Sequence, residues 1–261
     1  MNNRPVTDKF ITVCGFKVNI VQIPEIIAFI EERIKERKSS YIVTTNANTI
    51  VLGKKDPRIR QAVNSGDLSI ADGFSLVFCS RVYGQPLKRR AYGPELMLQF
   101  LKIAEEKGYS NFFYGSTDET LTQLVKGLKE KFPRLEIAGC YSPPFSSSVQ
   151  SDEKELQVIN KSGADVVWVG LGGVKQERWM YEHKGRVNIP VMVGVGAAFD
   201  FLAGTKPQAP RWMRESGLEW LFRLGTEPKR LWHRYLVNNT LFVWYVGNEL
   251  VLRLLKFFKL V

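Results

Sequence analysis

The stretch Asp165-Val-Val-Trp-Val-Gly-Leu-Gly-Gly173, followed by Val191-Met-Val-Gly-Val-Gly-Ala-Ala-Phe-Asp200, decides the fold. Each segment reads as a buried strand that ends in a glycine turn. Two such strands predict a ligand crevice at the carboxyl edge of an α/β sheet. A basic, aromatic segment follows: Gly217-Leu-Glu-Trp-Leu-Phe-Arg-Leu224, then Glu227-Pro-Lys-Arg-Leu-Trp-His-Arg-Tyr235. It fits a partner that is anionic and partly apolar. Together the two features point to an enzyme working at a membrane surface.

Outward from this stretch, strands and helices alternate. Phe10 to Val21 reads as one or two short strands. Pro24 opens a helix to about Arg37 with Ile26, Ile27, Ile30 and Ile34 on its apolar stripe. Ser40–Thr45 is a strand ending in the polar turn Asn46-Ala-Asn48, with a helix to Leu52 after it. Arg58–Asn64 is a short helix, and Leu68–Ala71 is a strand ending in Asp72-Gly73. Pro94–Lys107 and Asp118–Phe132 are helices around the strand Asn111–Tyr114. Leu135–Tyr141 is a strand, Ser142–Ser151 a Pro/Ser-rich loop, and Asp152–Lys161 a helix. This rhythm predicts a Rossmann-like α/β fold, a mostly parallel sheet with helices on both faces. The rhythm stops near Gly204. The expected division is therefore an α/β catalytic core, 1–203, and a basic, amphipathic, helical C-terminal appendage, 204–261.

The charge distribution supports that division. The 261 residues hold 37 Lys/Arg against 26 Asp/Glu, a net charge of +11. From Lys206 onward there are ten Lys/Arg and four Asp/Glu, which is more than half of the excess. Such a surplus attracts polyanions: nucleic acid, anionic lipid or a phosphorylated substrate. The cysteines Cys14, Cys79 and Cys140 are odd in number and far apart, and the histidines are only His183 and His233. Neither a disulfide framework nor metal-ligand spacing is present. Met1-Asn-Asn-Arg-Pro5 carries no apolar signal core, so a cytoplasmic protein is expected.

Tyr235–Val261 is apolar but interrupted by Asn238, Asn239, Asn248, Glu249, Arg253, Lys256 and Lys259, too often for a comfortable membrane span. On a helix, Asn238, Glu249, Arg253 and Lys256 share one side. Leu241, Phe242, Val243, Trp244, Val246, Leu250, Val251, Leu254 and Phe258 occupy the others. The pattern fits a helix lying in the membrane interface. It also fits a helix packed in a core or an oligomer.

Several positions carry candidate chemistry, each with a plainer reading. Asp72 follows a strand, where a carboxylate can take a proton from an attacking hydroxyl, yet Asp-Gly is also a common turn pair. Thr44, Thr45, Asn46 and Asn48 can bind a sugar or phosphate, or cap a helix. Gly170-Leu-Gly-Gly173, Gly172 included, can bring backbone N–H groups to a phosphate. Its spacing is neither the dinucleotide fingerprint nor a P-loop. Gln176 and Glu177 can bind substrate or decorate their helix. No Asp-x-Asp is present to hold a divalent ion on a diphosphate. If the chain handles a diphosphate, arginines must neutralise it. Arg211, Arg214, Arg223, Arg230 and Arg234 are available, or they form a basic helix near lipid or nucleic acid.

The ordered set of motifs resembles one family. Thr44-Thr-Asn46, Ala71-Asp-Gly73, Arg90 with Gly93-Pro-Glu-Leu96, Tyr114-Gly-Ser116, Gly170-Leu-Gly-Gly-Val-Lys-Gln-Glu-Arg-Trp179, Val193–Asp200 and the segment from Glu219 to Tyr235 together are similar to the bacterial WecG/TagA/CpsF glycosyltransferases. The resemblance implies an inverting, metal-independent transfer of a sugar from a UDP-sugar to a sugar on undecaprenyl diphosphate, in teichoic acid or surface polysaccharide assembly. N-acetylmannosamine is the usual donor sugar, though some relatives use others. It implies Asp72 as base, with Thr44, Asn46, Arg90 and Gln176 in the sugar-nucleotide pocket and Arg223, Arg230 and Arg234 on diphosphate.

The implied location is the inner face of the cytoplasmic membrane, peripherally attached to its anionic surface. No cofactor and no nucleic-acid partner are expected, and homo-oligomerisation is left open. The family commonly has Pro where this chain has Val174, Ala71 and Thr45, which bears on the donor sugar. A nucleic-acid-binding module and a nicotinamide-dependent oxidoreductase are the rival classes. They lack, respectively, a recognition motif and the glycine fingerprint.

Overall fold

The computed structural model describes residues 6–144 and 153–257. Residues 145–151 of the expected Pro/Ser loop lie outside the described residues, as do Asp152, Phe258 and Lys259. The strands are β1 (Phe10–Val13), β2 (Phe16–Asn19), β3 (Ser40–Thr45), β4 (Leu68–Ala71), β5 (Asn111–Gly115), β6 (Ile137–Tyr141), β7 (Val166–Gly170) and β8 (Val191–Gly194). They form one sheet in the order β1-β2-β4-β3-β8-β7-β5-β6. Every pairing is parallel except the β1–β2 hairpin.

The helices before the boundary are α1 (Ile23–Glu36), α2 (Ala47–Lys55), α3 (Pro57–Asn64), α4 (Phe74–Val82), α5 (Gly93–Lys107), α6 (Asp118–Lys131), α7 (Glu153–Lys161), α8 (Lys175–His183) and α9 (Ala198–Leu202). Side chains alternate across a strand, so the central strands feed two cores. Tyr41, Val43, Val167, Val169 and Met192 pack beneath α2, α3, α7 and α8. Ile42, Val166, Trp168, Val191 and Val193 pack beneath α1, α5, α6 and α9. Both faces are covered, which is why these strands are apolar at nearly every position. The register aligns Thr45 with Ala71 and Gly115 with Gly170, so the carboxyl ends of β3, β4, β5, β7 and β8 open on one edge.

Helix α4 was not legible in the sequence. Its apolar residues do not make a single inward stripe. Leu76, Val77 and Cys79 enter the core, whereas Phe74 and Phe78 are 42% and 58% exposed. That split blurs the 3.6-residue period on which helix recognition rests.

After α9 the chain continues as α10 (Arg211–Glu215), α11 (Glu219–Thr226), α12 (Pro228–Trp232), a π-helical turn (His233–Asn238) and α13 (Asn239–Phe257). The side of this last segment that carries Asn238, Glu249 and Arg253 faces the protein. Asn238 Nδ2 donates to Asn48 Oδ1 at 2.8 Å, and Arg253 Nη2 donates to the Thr12 carbonyl at 2.9 Å. Glu249 accepts the Cys14 N–H. Phe242 completes the core. The outer side carries Val243, Trp244 and Leu254, each more than half exposed. α13 therefore packs on the protein through polar and apolar residues together and still leaves an apolar side exposed. Among the described residues, no helix is long and apolar enough to cross a membrane.

Candidate active site

Asp72 directly follows β4, and its N–H donates to the Thr45 carbonyl at 3.0 Å, which extends the ladder one step past the strand. The segment before α5 returns alongside: Ala91 N–H donates to the Ala71 carbonyl at 2.8 Å. This return delivers two further groups. Gly93 N–H donates to Asp72 Oδ1 at 3.3 Å, and Arg90 Nη1 donates to the Asp72 carbonyl at 3.3 Å. The Arg90 guanidinium also stacks 4.3 Å from the Tyr92 ring and pairs with Glu219 of α11. A strand end, a loop and a helix from the far end of the chain thus converge on one carboxylate.

A cavity of about 590 Å³ opens over the carboxyl edge. Thr44, Asn46, Asp72, Gly172, Gln176, Glu177, Arg223, Arg230 and Arg234 all line it. Gln176 is buried and fully engaged: Nε2 donates to Thr44 Oγ1 at 3.2 Å and to Glu177 Oε1 at 3.1 Å, while Oε1 accepts the Gly196 N–H at 3.0 Å. Its seat requires glycine at the end of β8, because a Cβ on Gly194 would sit 2.8 Å from Met180 Cε and 3.1 Å from Gln176 Nε2. Asn46 caps α2, with Oδ1 accepting the Thr49 N–H at 3.2 Å, so the capping reading of this residue holds while it also faces the cavity. Gly172 and Gly173 take left-handed backbone angles of 71° and 55°, as a tight glycine turn requires.

A second cavity, of about 530 Å³, lies between α4, α11 and α13. Arg90 lines this one and not the first. Asn46, Asn48, Asp72, Arg223 and Arg234 belong to both, so the two cavities meet at Asp72.

The arginines differ in their partners. Arg223 lies 4.0 Å from Glu219 and its Nε is buried without a partner. Arg230 is held by Glu227, Nε to Oε2 at 2.6 Å. Arg234 makes no ion pair among the described residues, and burial holds its guanidinium below the usual arginine range. A half-buried guanidinium without an ion pair among the described residues, shared by two cavities, suits an anion. Arg211 and Arg214 do not join it. Arg211 pairs with Glu215 at 2.8 Å, and Arg214 lies 5.5 Å from the Tyr92 ring.

Asp72 touches the cavities but is otherwise surrounded by protein, and this burial raises its carboxyl above the usual range. Arg90 acts against that rise and Glu219 adds to it. For Arg90 itself, burial opposes the charge, but Glu219 and Asp72 more than offset it. Burial pushes Glu177 up to about 8. Its Oε2 has no partner, and the residue is 1% exposed. Among the carboxyl groups of the wall, Asp72 is placed to accept a proton and Glu177 is neutral near pH 7, with guanidiniums beside them.

Sequence reasoning did not single out several wall residues. Tyr114 and Trp179 stack with ring centres 4.4 Å apart in the first cavity, and Tyr114 Oη donates to Glu155 Oε2 at 2.8 Å. Lys206 lines the same cavity and bridges Asp200 at 2.7 Å. Glu219, the partner of Arg90, lines the second. The motifs containing Tyr114, Trp179, Asp200 and Glu219 were visible. Nothing in their spacing said which side chain turns inward.

Comparison with known proteins shows the family. Residues 11–255 match the model of the glycosyl transferase WecG/TagA/CpsF family. The chain is 32% identical over 204 residues to an N-acetylglucosaminyldiphosphoundecaprenol N-acetyl-beta-D-mannosaminyltransferase of Bacillus spizizenii, covering 78% of this chain and 77% of that protein. It is 30% identical over 191 residues to proteins of the same name from Staphylococcus aureus, covering 73% and 74%.

Proposed function

Because this chain belongs to the WecG/TagA/CpsF family of glycosyl transferases, we propose that it moves N-acetylmannosamine or a related hexose from a UDP-sugar to a sugar carried on a polyprenyl diphosphate. The reaction inverts the anomeric centre, needs no divalent cation, and serves teichoic acid or cell-surface polysaccharide assembly. The observation that carries this reading is the position of Asp72 at the junction of two cavities that share Arg223 and Arg234.

In this reading the first cavity takes the donor. Thr44, Asn46, Gly172, Gln176 and Glu177 surround the sugar nucleotide, and Arg230 lies on the same wall. Asp72, as carboxylate, takes the proton of the acceptor hydroxyl. The hydroxyl oxygen bonds to the anomeric carbon from the face opposite UDP. The bond from that carbon to the β-phosphate oxygen breaks, and UDP leaves with the electron pair. Arg223 and Arg234 neutralise the charge that grows on the diphosphate. Arg90 holds the Asp72 backbone and sets its field, which is a positioning role.

The acceptor named for the relatives is lipid-linked, so this enzyme works at a membrane surface, here taken as the inner face of the cytoplasmic membrane. The exposed apolar side of α13 and its basic neighbours suit peripheral attachment to anionic lipid. The reading is tested by mass analysis of products from a panel of UDP-sugars and a short-chain polyprenyl-diphosphate N-acetylglucosamine, with and without chelator. Addition of one hexose residue, unaffected by chelator, supports it. Loss of the product with chelator and rescue by manganese refutes the cation-free step. Tight binding of oligonucleotide with none of UDP favours the nucleic-acid class.

A further inference from the structure

We propose that the second cavity is a slot for the isoprenoid chain of the acceptor, formed by α4 and α13 and closed at its inner end by the arginines. The inference rests on the function proposed above and specifies where the hydrocarbon of that substrate lies.

Four observations carry it. The first is continuity: the slot begins at Asp72, where the donor cavity ends. A hydroxyl delivered to Asp72 from the side away from the donor therefore comes from within this cavity. The second is the distribution of charge. Every charged residue in its wall is Asp72, Arg90, Glu219, Arg223 or Arg234, the cluster already tied to the reaction centre. The remainder of the wall is dominated by Phe74 and Phe78 from α4, and Phe242, Val246 and Leu250 from α13. An occupant must thus be anionic at one end and hydrocarbon beyond it. A diphosphate on an isoprenoid chain has that form. A peptide does not, because its backbone groups would lose their hydrogen bonds along an apolar wall.

The third observation is shape. On α13 the residues facing the slot run from Asn239 to Leu250 at spacings of three and four, one continuous stripe about 16 Å long. Beside this stripe, three and seven residues on from Val246, Glu249 and Arg253 pin the helix to the sheet edge through Cys14 and Thr12. These polar bonds fix α13 at the flank of the slot. Gly217, with a backbone angle of 81°, packs against Phe74, and a Cβ there would lie 2.8 Å from the ring, which fixes the other wall. The fourth is the mouth. Phe78 and Val243 line the slot yet are 58% and 68% exposed, so the apolar wall runs out onto the exposed face of α13. An apolar patch of this kind marks an interaction site.

Gly247 provides the test. It lines the slot, and a Cβ there meets nothing within 4 Å. Leucine at this helical position adds bulk to the slot wall from a Cβ that meets no neighbour, and favours the helix. Turnover is measured on N-acetylglucosaminyl diphosphates bearing a long polyprenyl chain or only a methyl ester, using the full chain. In Gly247→Leu, the preference for the long-chain acceptor, as a ratio of kcat/KM values, falls at least tenfold. The Kd for UDP stays within twofold. Binding of farnesyl diphosphate, measured directly, weakens by the same factor.

An unchanged preference and unchanged farnesyl diphosphate binding overturn the slot while leaving the proposed function standing. So does a variant that loses vesicle binding but keeps its chain preference, since the bilayer would then be what covers this face. If the unaltered protein glycosylates no polyprenyl-diphosphate acceptor, the proposed function fails and the slot falls with it.

Discussion

Arg90 pairs with Glu219, 129 residues further along the chain, and donates its other amino group to the carbonyl of Asp72. The pair joins the α/β body to α11 at the reaction centre. It also sets the field on the carboxylate, since Arg90 lowers the Asp72 pKa and Glu219 raises it.

The pair predicts opposite shifts in the pH profile. A base works ionised, so kcat/KM rises as pH passes the Asp72 pKa, which burial has raised. Glu219→Gln moves that acidic limb to lower pH, and Arg90→Met moves it to higher pH. Each variant also leaves a buried charge without its partner and loses about 3 kcal/mol of stability or less, given the nearby cavity. Acidic limbs that coincide in the three proteins remove Asp72 as the titrating base.

Glu177 predicts a pH dependence of stability. The folded protein holds it neutral up to about 8, whereas the unfolded chain ionises it near 4.5. Between these values the unfolded state binds fewer protons, so stability is full below about 4.5 and falls as pH rises towards about 8. Glu177→Gln removes this loss. The Tm of the variant relative to the unaltered protein is expected to increase steadily from pH 5 to pH 8. Parallel Tm curves contradict a neutral Glu177.

The division near Gly204 predicts the result of truncation. All eight strands precede it, so residues 1–203 are expected to keep their circular dichroism and a cooperative thermal transition. Turnover is expected to fall by at least a hundredfold, because Arg223, Arg230 and Arg234 leave with the appendage. A truncated chain with full activity shows that the arginines are dispensable.

Membrane attachment is expected to combine charge and apolar contact. Binding to anionic vesicles should weaken as salt rises, because attraction to headgroups is screened. Trp244→Ser, at a position 60% exposed on α13, should weaken it several-fold at constant salt. Sedimentation with vesicles measures both. Failure to bind at any salt favours an oligomer or core role for this face.

Much of this was legible in the sequence because it follows from period and spacing. β3 and β4 fall on the expected residues, since buried strands bounded by polar turns leave a sharp signal. All ten expected site residues line one cavity or the other, because the strand ends and the arginine-rich tail meet at the carboxyl edge. Tertiary facts stayed hidden. The resemblance implied Arg90 in the sugar-nucleotide pocket, and in the fold Arg90 lines the second cavity. The sequence marked the polar side of α13 but not that this side bonds to the protein next to buried Phe242 while Val243, Trp244 and Leu254 stay exposed. It missed α4, whose residues serve two surfaces and so lack one clean stripe.

The most direct test of the account is Asp72→Asn, with turnover and UDP affinity measured on the same preparation. The exchange keeps size and hydrogen bonding while removing the proton acceptor. The account predicts a fall in kcat of ~10²–10⁴-fold with the Kd for UDP within twofold of the unaltered protein. Undiminished kcat in a variant that binds UDP normally would contradict it.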